Sequence, residues 1–266
     1  MLIVGELINA SRQAIQGAIE GRDAAAIQRV AREQHEAGAD YIDVNAGVFV
    51  GEEAGYLTWL VQTVQQAVDA PCCIDSPDPA AVEAALKVHR GTAMVNSISL
   101  ERERFDRLVP LLAGTELRVV ALCMSDEGMP ATSDQRVRIA HGLVDRLVRH
   151  NVRPGNIYVD PVVQPVSTDH EVGAAFLDAV ARIRAEIPDV HVICGLSNIS
   201  YGLPERKLVN QTFAVMAVAR GLDALIVNPL DRRMMAGLRA ALVLAGQDPY
   251  CMGYLEAFRE GRLAGV

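Results

Sequence analysis

The chain has 266 residues, half of them hydrophobic, and a formal net charge of -8. That acidic balance argues against a nucleic-acid backbone as partner. No apolar run nears the roughly 18 residues of a membrane span, and the N-terminus lacks a basic-then-apolar leader pattern. Five cysteines without a CxxC pair, and six histidines without HxxxH or HExxH spacing, point to buried thiols in a reducing cytoplasm. They predict no disulfide framework and no metal site.

In chain order, Leu2 to Asn9 reads as a strand with Glu6 and Asn9 towards its far end. Asp23 caps an amphipathic helix that runs to about Ala37, and Gly38 closes it. Tyr41 to Ala46 is a second strand, in which Asp43 and Asn45 alternate with Ile42 and Val44. A helix covers roughly Ala54 to Val68, and Cys72 to Asp75 is the third strand. Asp78-Pro79 opens the next helix with a cap residue and then a proline in the first turn. Ala93 to Asn96 is the fourth strand, and Glu101 to Leu112 the helix after it.

Arg118 to Met124 is the fifth strand, followed by a long polar loop from Ser125 to Ser133 and a helix from Asp134 to His150. Long loops in compact domains are commonly functional. The sixth strand, Ile157 to Asp160, leads through the loop Pro161 to Thr168 into a helix over Glu171 to Glu186. His191 to Leu196 is the seventh strand, Arg206 to Arg220 a helix, and Ala224 to Val227 the eighth strand, ending at Asn228-Pro229. Helices near Arg232 to Leu244 and Tyr250 to Arg262 complete the chain. Eight strand–helix units about 30 residues apart, with no linker or composition break, predict a parallel sheet closed into a (β/α)8 TIM barrel, a single domain over 1–266. A doubly wound open sheet would need a Gly-rich first turn, and Gly5-Glu6-Leu7-Ile8 is not one.

Catalytic groups in such barrels stand at the carboxyl ends of the strands. Here those ends carry Glu6, Asn9, Asp43, Asn45, Asp75, Asn96, Asp160, Ser197, Asn198 and Asn228, with no Lys or Arg among them. Carboxylates accept paired N–H donors, and asparagines both donate and accept, so the set suits a polar heterocycle such as an aminopyrimidinone. Structural readings stand beside this one. Asp75 could cap the following helix, and Asp160 before Pro161 could be a turn residue. Asn96 and Asn198 could be satisfied core amides, and Asp43 and Asn45 an internal barrel layer. The functional reading rests on the joint pattern, since capping does not require polar ends on nearly every strand.

Several short segments, in order, resemble the pterin-binding methyltransferases that act with corrinoid proteins. They are Gly5-Glu6-Leu7-Ile8-Asn9, Asp43-Val44-Asn45-Ala46-Gly47, Ile74-Asp75-Ser76, Val95-Asn96-Ser97, Tyr158-Val159-Asp160-Pro161, Gly195-Leu196-Ser197-Asn198 and Asn210-Gln211-Thr212-Phe213. The resemblance extends to methyltetrahydrofolate:corrinoid methyltransferases and to the folate domain of cobalamin-dependent methionine synthase. It implies a homodimeric TIM barrel that moves a methyl group between N5 of methyltetrahydrofolate and the cobalt of a cobalamin-type corrinoid. It also implies that Asp75, Asn96 and Asp160 anchor the pterin and that Asn198 meets N5. Glu6, Asp43, Asn45, Ser197, Met124 and Arg206 complete or frame the site. The corrinoid signature Asp-x-His-x-x-Gly is not matched by Asp189 to Cys194, so the corrinoid is expected on a separate protein. Two competitors remain. A dihydropteroate synthase would need basic residues near strands seven and eight to hold a diphosphate leaving group. A pterin-binding protein without catalysis is the other.

Overall fold

Short strands rich in Val, Ile, Cys and Ala, each followed by an amphipathic helix, can pair side by side only as parallel neighbours. The computed structural model, which describes residues 1–264, shows that arrangement. The elements run β1 (Leu2–Asn9), α1 (Gln13–Glu20), α2 (Ala24–Glu36), β2 (Tyr41–Asn45), α3 (Glu53–Gln65), β3 (Cys72–Asp75), α4 (Pro79–Val88), β4 (Met94–Ile98) and α5 (Arg102–Leu112). They continue with β5 (Arg118–Leu122), α6 (Ser133–Arg149), β6 (Ile157–Asp160), α7 (Val172–Glu186), β7 (His191–Val192), α8 (Arg206–Ala219), β8 (Ala224–Val227), α9 (Arg232–Leu244) and α10 (Met252–Arg259). The strands pair in the order β7-β6-β5-β4-β3-β2-β1-β8, all parallel. The ring closes between β7 and β8, where the Ile226 amide donates to the Cys194 carbonyl at 2.9 Å and Gly195 bridges to Ile226. This is the expected (β/α)8 TIM barrel. The last two residues of the 1–266 unit lie outside the described residues.

Side chains alternate across a strand, and that alternation decides what faces the barrel interior. A compact inner cluster takes one residue from each strand or its immediate extension: Val4, Tyr41, Cys73, Met94, Val120, Tyr158, Ile193 and Ala224. The intervening residues, such as Ile42, Val44, Ile74, Val95 and Val159, belong to the larger core between strands and helices. Counting in twos from the inner cluster puts Glu6, Asp43, Asn45, Asp75, Asn96 and Asp160 on the inward face at or near the carboxyl rim. The lower end is sealed by Arg118, whose guanidinium lies 5.5 Å from the Tyr41 ring centre and 5.8 Å from that of Tyr158.

The sequence reading passed over α1, which is eight residues long and has no side-chain cap. The largest correction concerns the seventh strand. It covers only His191–Val192, and Leu196–Ser200 form a 3-10 turn, so Ser197 and Asn198 sit on a turn above the strand. The fifth strand stops at Leu122, leaving Met124 in the following loop.

Candidate active site at the carboxyl rim

Register assembles the first part of the rim. Asn9 stands opposite Asn45, Asn45 opposite Asp75, and Asp75 opposite Asn96, so four polar residues of β1 to β4 occupy adjacent positions. The Asn45 side chain is held at both ends: its Nδ2 donates to Asp75 Oδ2 at 2.9 Å, and its Oδ1 accepts from the Gly47 amide at 3.0 Å. Asp75 does not cap α4. Asp78 does, accepting from the Ala80 amide at 2.9 Å. Asp75 is therefore free to present its carboxylate to the barrel mouth. Asp43, one step deeper on β2, is 2% exposed. Asn96 and Cys73 lie against its carboxyl group, yet its Oδ1 receives no well-formed hydrogen bond among the described residues.

Asp160 ends β6, level with Leu122 of β5. Its Oδ1 accepts from the Val162 amide at 2.8 Å, so the turn reading holds for that oxygen. An ionised carboxylate has acceptor sites to spare beyond it. Asn198 is exposed on the 3-10 turn, which excludes the reading of a buried core amide. Met124 is half-buried, and its carbonyl accepts the Leu100 amide at 2.9 Å, tying together the loops that follow β4 and β5.

Glu6, Ser197 and Arg206 come together in a cavity of about 320 Å³ on the β7–β8–β1 side of the mouth. Arg206 is held by the Ser197 carbonyl at 2.7 Å and by Ser200 Oγ at 3.0 Å. Arg12 reaches Glu6 at 3.1 Å. Lys207, Asn210 and Asp231 line the same space. No cation ends strand seven or eight in the sequence, but the first turn of α8 and the segment after β1 bring three to that side.

Four carboxyl groups at this rim share one electrostatic condition. Burial raises Glu6, Asp43, Asp75 and Asp160 above the ordinary carboxylate range. Arg12 and Arg206 offset part of the effect at Glu6. Burial, and then the charge of Asp75 across the β2–β3 pair, pushes Asp43 well above the usual carboxylate range. Asp160 is pushed up to about 6 by burial, against opposing hydrogen bonds from the Val162 and Gly195 backbone and the charge of Arg136. The result is a cluster of carboxyl groups held above their usual range by burial, an environment suited to matching N–H donors.

Two residues of the rim's support escaped the sequence reading. Arg136 on α6 is completely buried, and Arg104 on α5 bonds three backbone carbonyls. Arg136 falls on the buried stripe of its helix with Ala140, Leu143 and Leu147. A charge on an apolar stripe was the available signal.

The chain matches the family of pterin binding enzymes over residues 5–228. It is 38% identical over 268 residues to a methylcorrinoid:tetrahydrofolate methyltransferase of Eubacterium limosum, covering 100% of this chain and 99% of that one. It is 27% identical over 241 residues to the methionine synthase of Mycobacterium tuberculosis, covering 86% of this chain and 20% of that longer protein. Among solved structures, a dihydropteroate synthase of Coxiella burnetii in complex with pteroic acid has a TM-score of 0.71 at 13% identity, with 92% of this chain and 93% of that chain covered. The dihydropteroate synthase of Thermus thermophilus gives 0.66 at 22%, with 91% and 92% covered. At those identities the solved structures speak for the fold alone. The family match runs from β1 to the residue after β8 and takes in the whole polar rim; the chain belongs to the pterin-binding enzymes.

Proposed function

We propose that the chain is a methyltransferase that moves a methyl group between the cobalt of a corrinoid, borne by a separate protein, and N5 of tetrahydrofolate. The observation that carries this reading is the arc of Asn45, Asp75 and Asn96 in adjacent register on one barrel mouth, with Asp160 on the same rim. The full-length likeness to the methylcorrinoid:tetrahydrofolate methyltransferase supports the reaction class. Ionised Asp160 accepts a pterin ring N–H and the exocyclic amino group. Asp75 and Asn96 hold the opposite edge, and Asn45 fixes the orientation of Asp75. Glu6, Asp43, Ser197, Met124 and Arg206 frame the bound ring.

The transfer needs no nucleophile activated by the protein. Towards folate, the N5 lone pair attacks the methyl carbon and the cobalt–carbon bond breaks. Both bonding electrons stay on cobalt, giving Co(I), and N5 becomes an ammonium that releases its proton. In reverse, Co(I) attacks the methyl group, and N5 leaves as a neutral amine once protonated. Asn198 does not titrate, so it is not the acid; its amide hydrogen-bonds N5 and follows the charge as it develops. Its exposure on the turn above β7 suits a group that meets both the folate and an incoming corrinoid face.

Methyl transfer between methylcobalamin and tetrahydrofolate, followed in both directions by cobalamin absorbance, tests the reading. Wild-type protein transfers the methyl group. Asn198→Ala lowers the rate about 100-fold while changing tetrahydrofolate affinity by less than about threefold; equal losses in rate and affinity would remove Asn198 from the reacting centre. Arg12, Arg206 and Lys207 favour one second reading, a dihydropteroate synthase in which they hold a diphosphate. Condensation of a pterin diphosphate with p-aminobenzoate, without methyl transfer, would establish that instead.

We also place the protein in the cytoplasm as a homodimer. Buried free thiols at Cys72, Cys73, Cys123 and Cys194 support a reducing compartment, and no helix among the described residues is long and apolar enough to cross a membrane. An apolar face on α7 and α8 supports the dimer.

A further inference from the structure

Arg136 and Arg104 are related in a way that their positions in the chain conceal. Each lies in the first turn or so of the helix that follows an odd or even strand of the rim, and neither forms an ion pair with a carboxylate among the described residues. Each is held by backbone carbonyls. Arg136 donates to Pro161 O at 2.9 Å, Ala131 O at 2.9 Å and Val162 O at 3.4 Å. Arg104 donates to Ser97 O at 2.8 Å, Pro77 O at 2.9 Å and Ser76 O at 3.1 Å. The carbonyls Arg136 binds come from the two residues after Asp160 and from the loop after β5. Those that Arg104 binds come from the two residues after Asp75 and the residue after Asn96. The guanidinium charges thus stand directly behind the rim carboxylates.

We propose that Arg136 and Arg104 are positioning residues for pterin binding: each is a carbonyl-clamped cation that fixes the loop behind one anchor carboxylate and sets a positive charge behind it. The inference rests on the reading of Asp160 and Asp75 as pterin anchors. The burial of Arg136 makes the point sharply. A guanidinium without solvent and without a contacting carboxylate is costly, and backbone dipoles alone do not neutralise it. The charge that balances it is Asp160, one residue beyond the carbonyls it grips. Between them sits Val162, a β-branched residue at φ +68°, a conformation that needs its surroundings to hold it. Its amide is fixed by Asp160 Oδ1 and its carbonyl by Arg136. Asp160 and Arg136 therefore brace the same strained residue from either side.

The other groups facing Asp160 do not supply a positive charge. They are Cys123 at the end of β5, Cys194 after β7 and the amides of Val162 and Gly195. Around Asp75 stand Asp43 and Asn45 of β2, Cys73 of its own strand and Glu53 of α3, leaving Arg104 as the cation; Glu101 faces Arg104 from its own helix. Arg136 and Arg104 accordingly lower the carboxylates they stand behind, against burial.

The test is tetrahydrofolate affinity by calorimetry from about pH 5.5 to about pH 9. Wild-type binding weakens as pH falls through the Asp160 midpoint near 6. Arg136→Gln raises that midpoint by about one unit, so affinity falls about eightfold at pH 5.5, about twofold at pH 7 and not measurably at pH 9. Arg136→Lys, which keeps the charge, keeps the wild-type midpoint. Methyl-transfer rate at saturating folate stays within about twofold in both. A loss of affinity that is the same at every pH overturns the proposal, because a merely structural brace gives that result. Loss of a fully buried arginine can unfold a chain, so Arg104→Gln on its half-buried site carries the same test for Asp75; an unchanged pH profile there overturns it too. Asp160→Asn separates the two levels: wild-type affinity in that variant defeats the anchor reading itself, whichever way the arginine variants behave.

Discussion

The proposed anchor Asp160 puts a binding role and a stability cost in the same atoms. In the unfolded chain its carboxyl titrates near the ordinary aspartate value, whereas in the fold burial moves it to about 6. The folded state therefore binds the extra proton between those two values. That contribution to stability is fully present below about pH 4 and is lost as pH rises through about 6, on the order of 3 kcal/mol for a shift of this size. At neutral pH the carboxylate is largely ionised, and acceptor sites beyond those taken by the Val162 and Gly195 amides remain for a pterin's N–H groups. Asp160→Asn removes the charge and keeps an oxygen for the Val162 amide. Its expected outcome is folate binding weakened at least tenfold at pH 7.5, with a melting temperature no higher than wild type, because the buried Arg136 loses the charge that balances it. A lower melting temperature with unchanged binding would show a turn residue and nothing more. Asp160 was legible in the sequence because it ends an apolar run, as Asp75 and Asn96 do. Arg136 showed only as a charge on an apolar stripe and Arg104 not at all, because their partners are carbonyls, which no residue type announces. Asp43 was legible as polar on an inward position, but its upward shift follows from burial and then from the approach of Asp75 across the β2–β3 pair, which only the fold fixes.

At the scale of the element, the strand–helix alternation was readable because parallel strands carry continuous apolar runs and the helices between them carry caps and stripes. Asp23 and Asp78 cap the helices expected of them. Where such signals fail, the reading failed: α1 has no capping side chain, and the run from His191 to Leu196 leaves strand geometry early while staying apolar. Apolar content marks burial and does not distinguish a strand from the 3-10 turn that follows it. β1 shows a constraint that composition cannot reveal. Gln34 of α2 is completely buried, and its Oε1 accepts the Leu7 amide at 2.9 Å, where the pairing of β1 with β2 slips between Gly5 and Ile8. A Cβ on Gly5 would meet that same oxygen at 2.5 Å. The slip sets where Glu6 faces the mouth, so the glycine serves the site through the backbone. Gly5→Ala should destabilise the protein by about 1–3 kcal/mol, as overpacking does, read as a lower urea midpoint with an unchanged slope. A midpoint equal to wild type would mean that Gln34 moves aside freely and that the slip in β1 has another cause.

At the scale of the whole molecule, α8 leaves an apolar face uncovered. On α8, Leu208, Val215 and Met216 follow the spacing of a single helical stripe and are 65%, 37% and 48% exposed. Beside them a groove of about 400 Å³ runs between α7 and α8, lined by Val166, Leu177, Ile199 and Phe213. Helices around a barrel bury their apolar stripe against the strands; a second stripe pointing outwards is surplus to the fold and marks a surface meant for contact. The face lies on the outer wall, so a second copy docked there leaves the rim open for the corrinoid protein, as the proposed reaction requires. A twofold dimer would set the same stripe against itself. Light scattering at micromolar concentration should give twice the mass of the 28.7 kDa chain. Met216→Glu with Leu208→Glu should shift the species to monomer, because each places a charge in the middle of the buried patch. The monomer should keep tetrahydrofolate binding within about threefold, since none of the proposed anchors Asp75, Asn96 and Asp160 lines this groove. Unchanged dimer mass in the double variant would move the interface elsewhere, and monomeric wild-type protein would leave the stripe to a different partner.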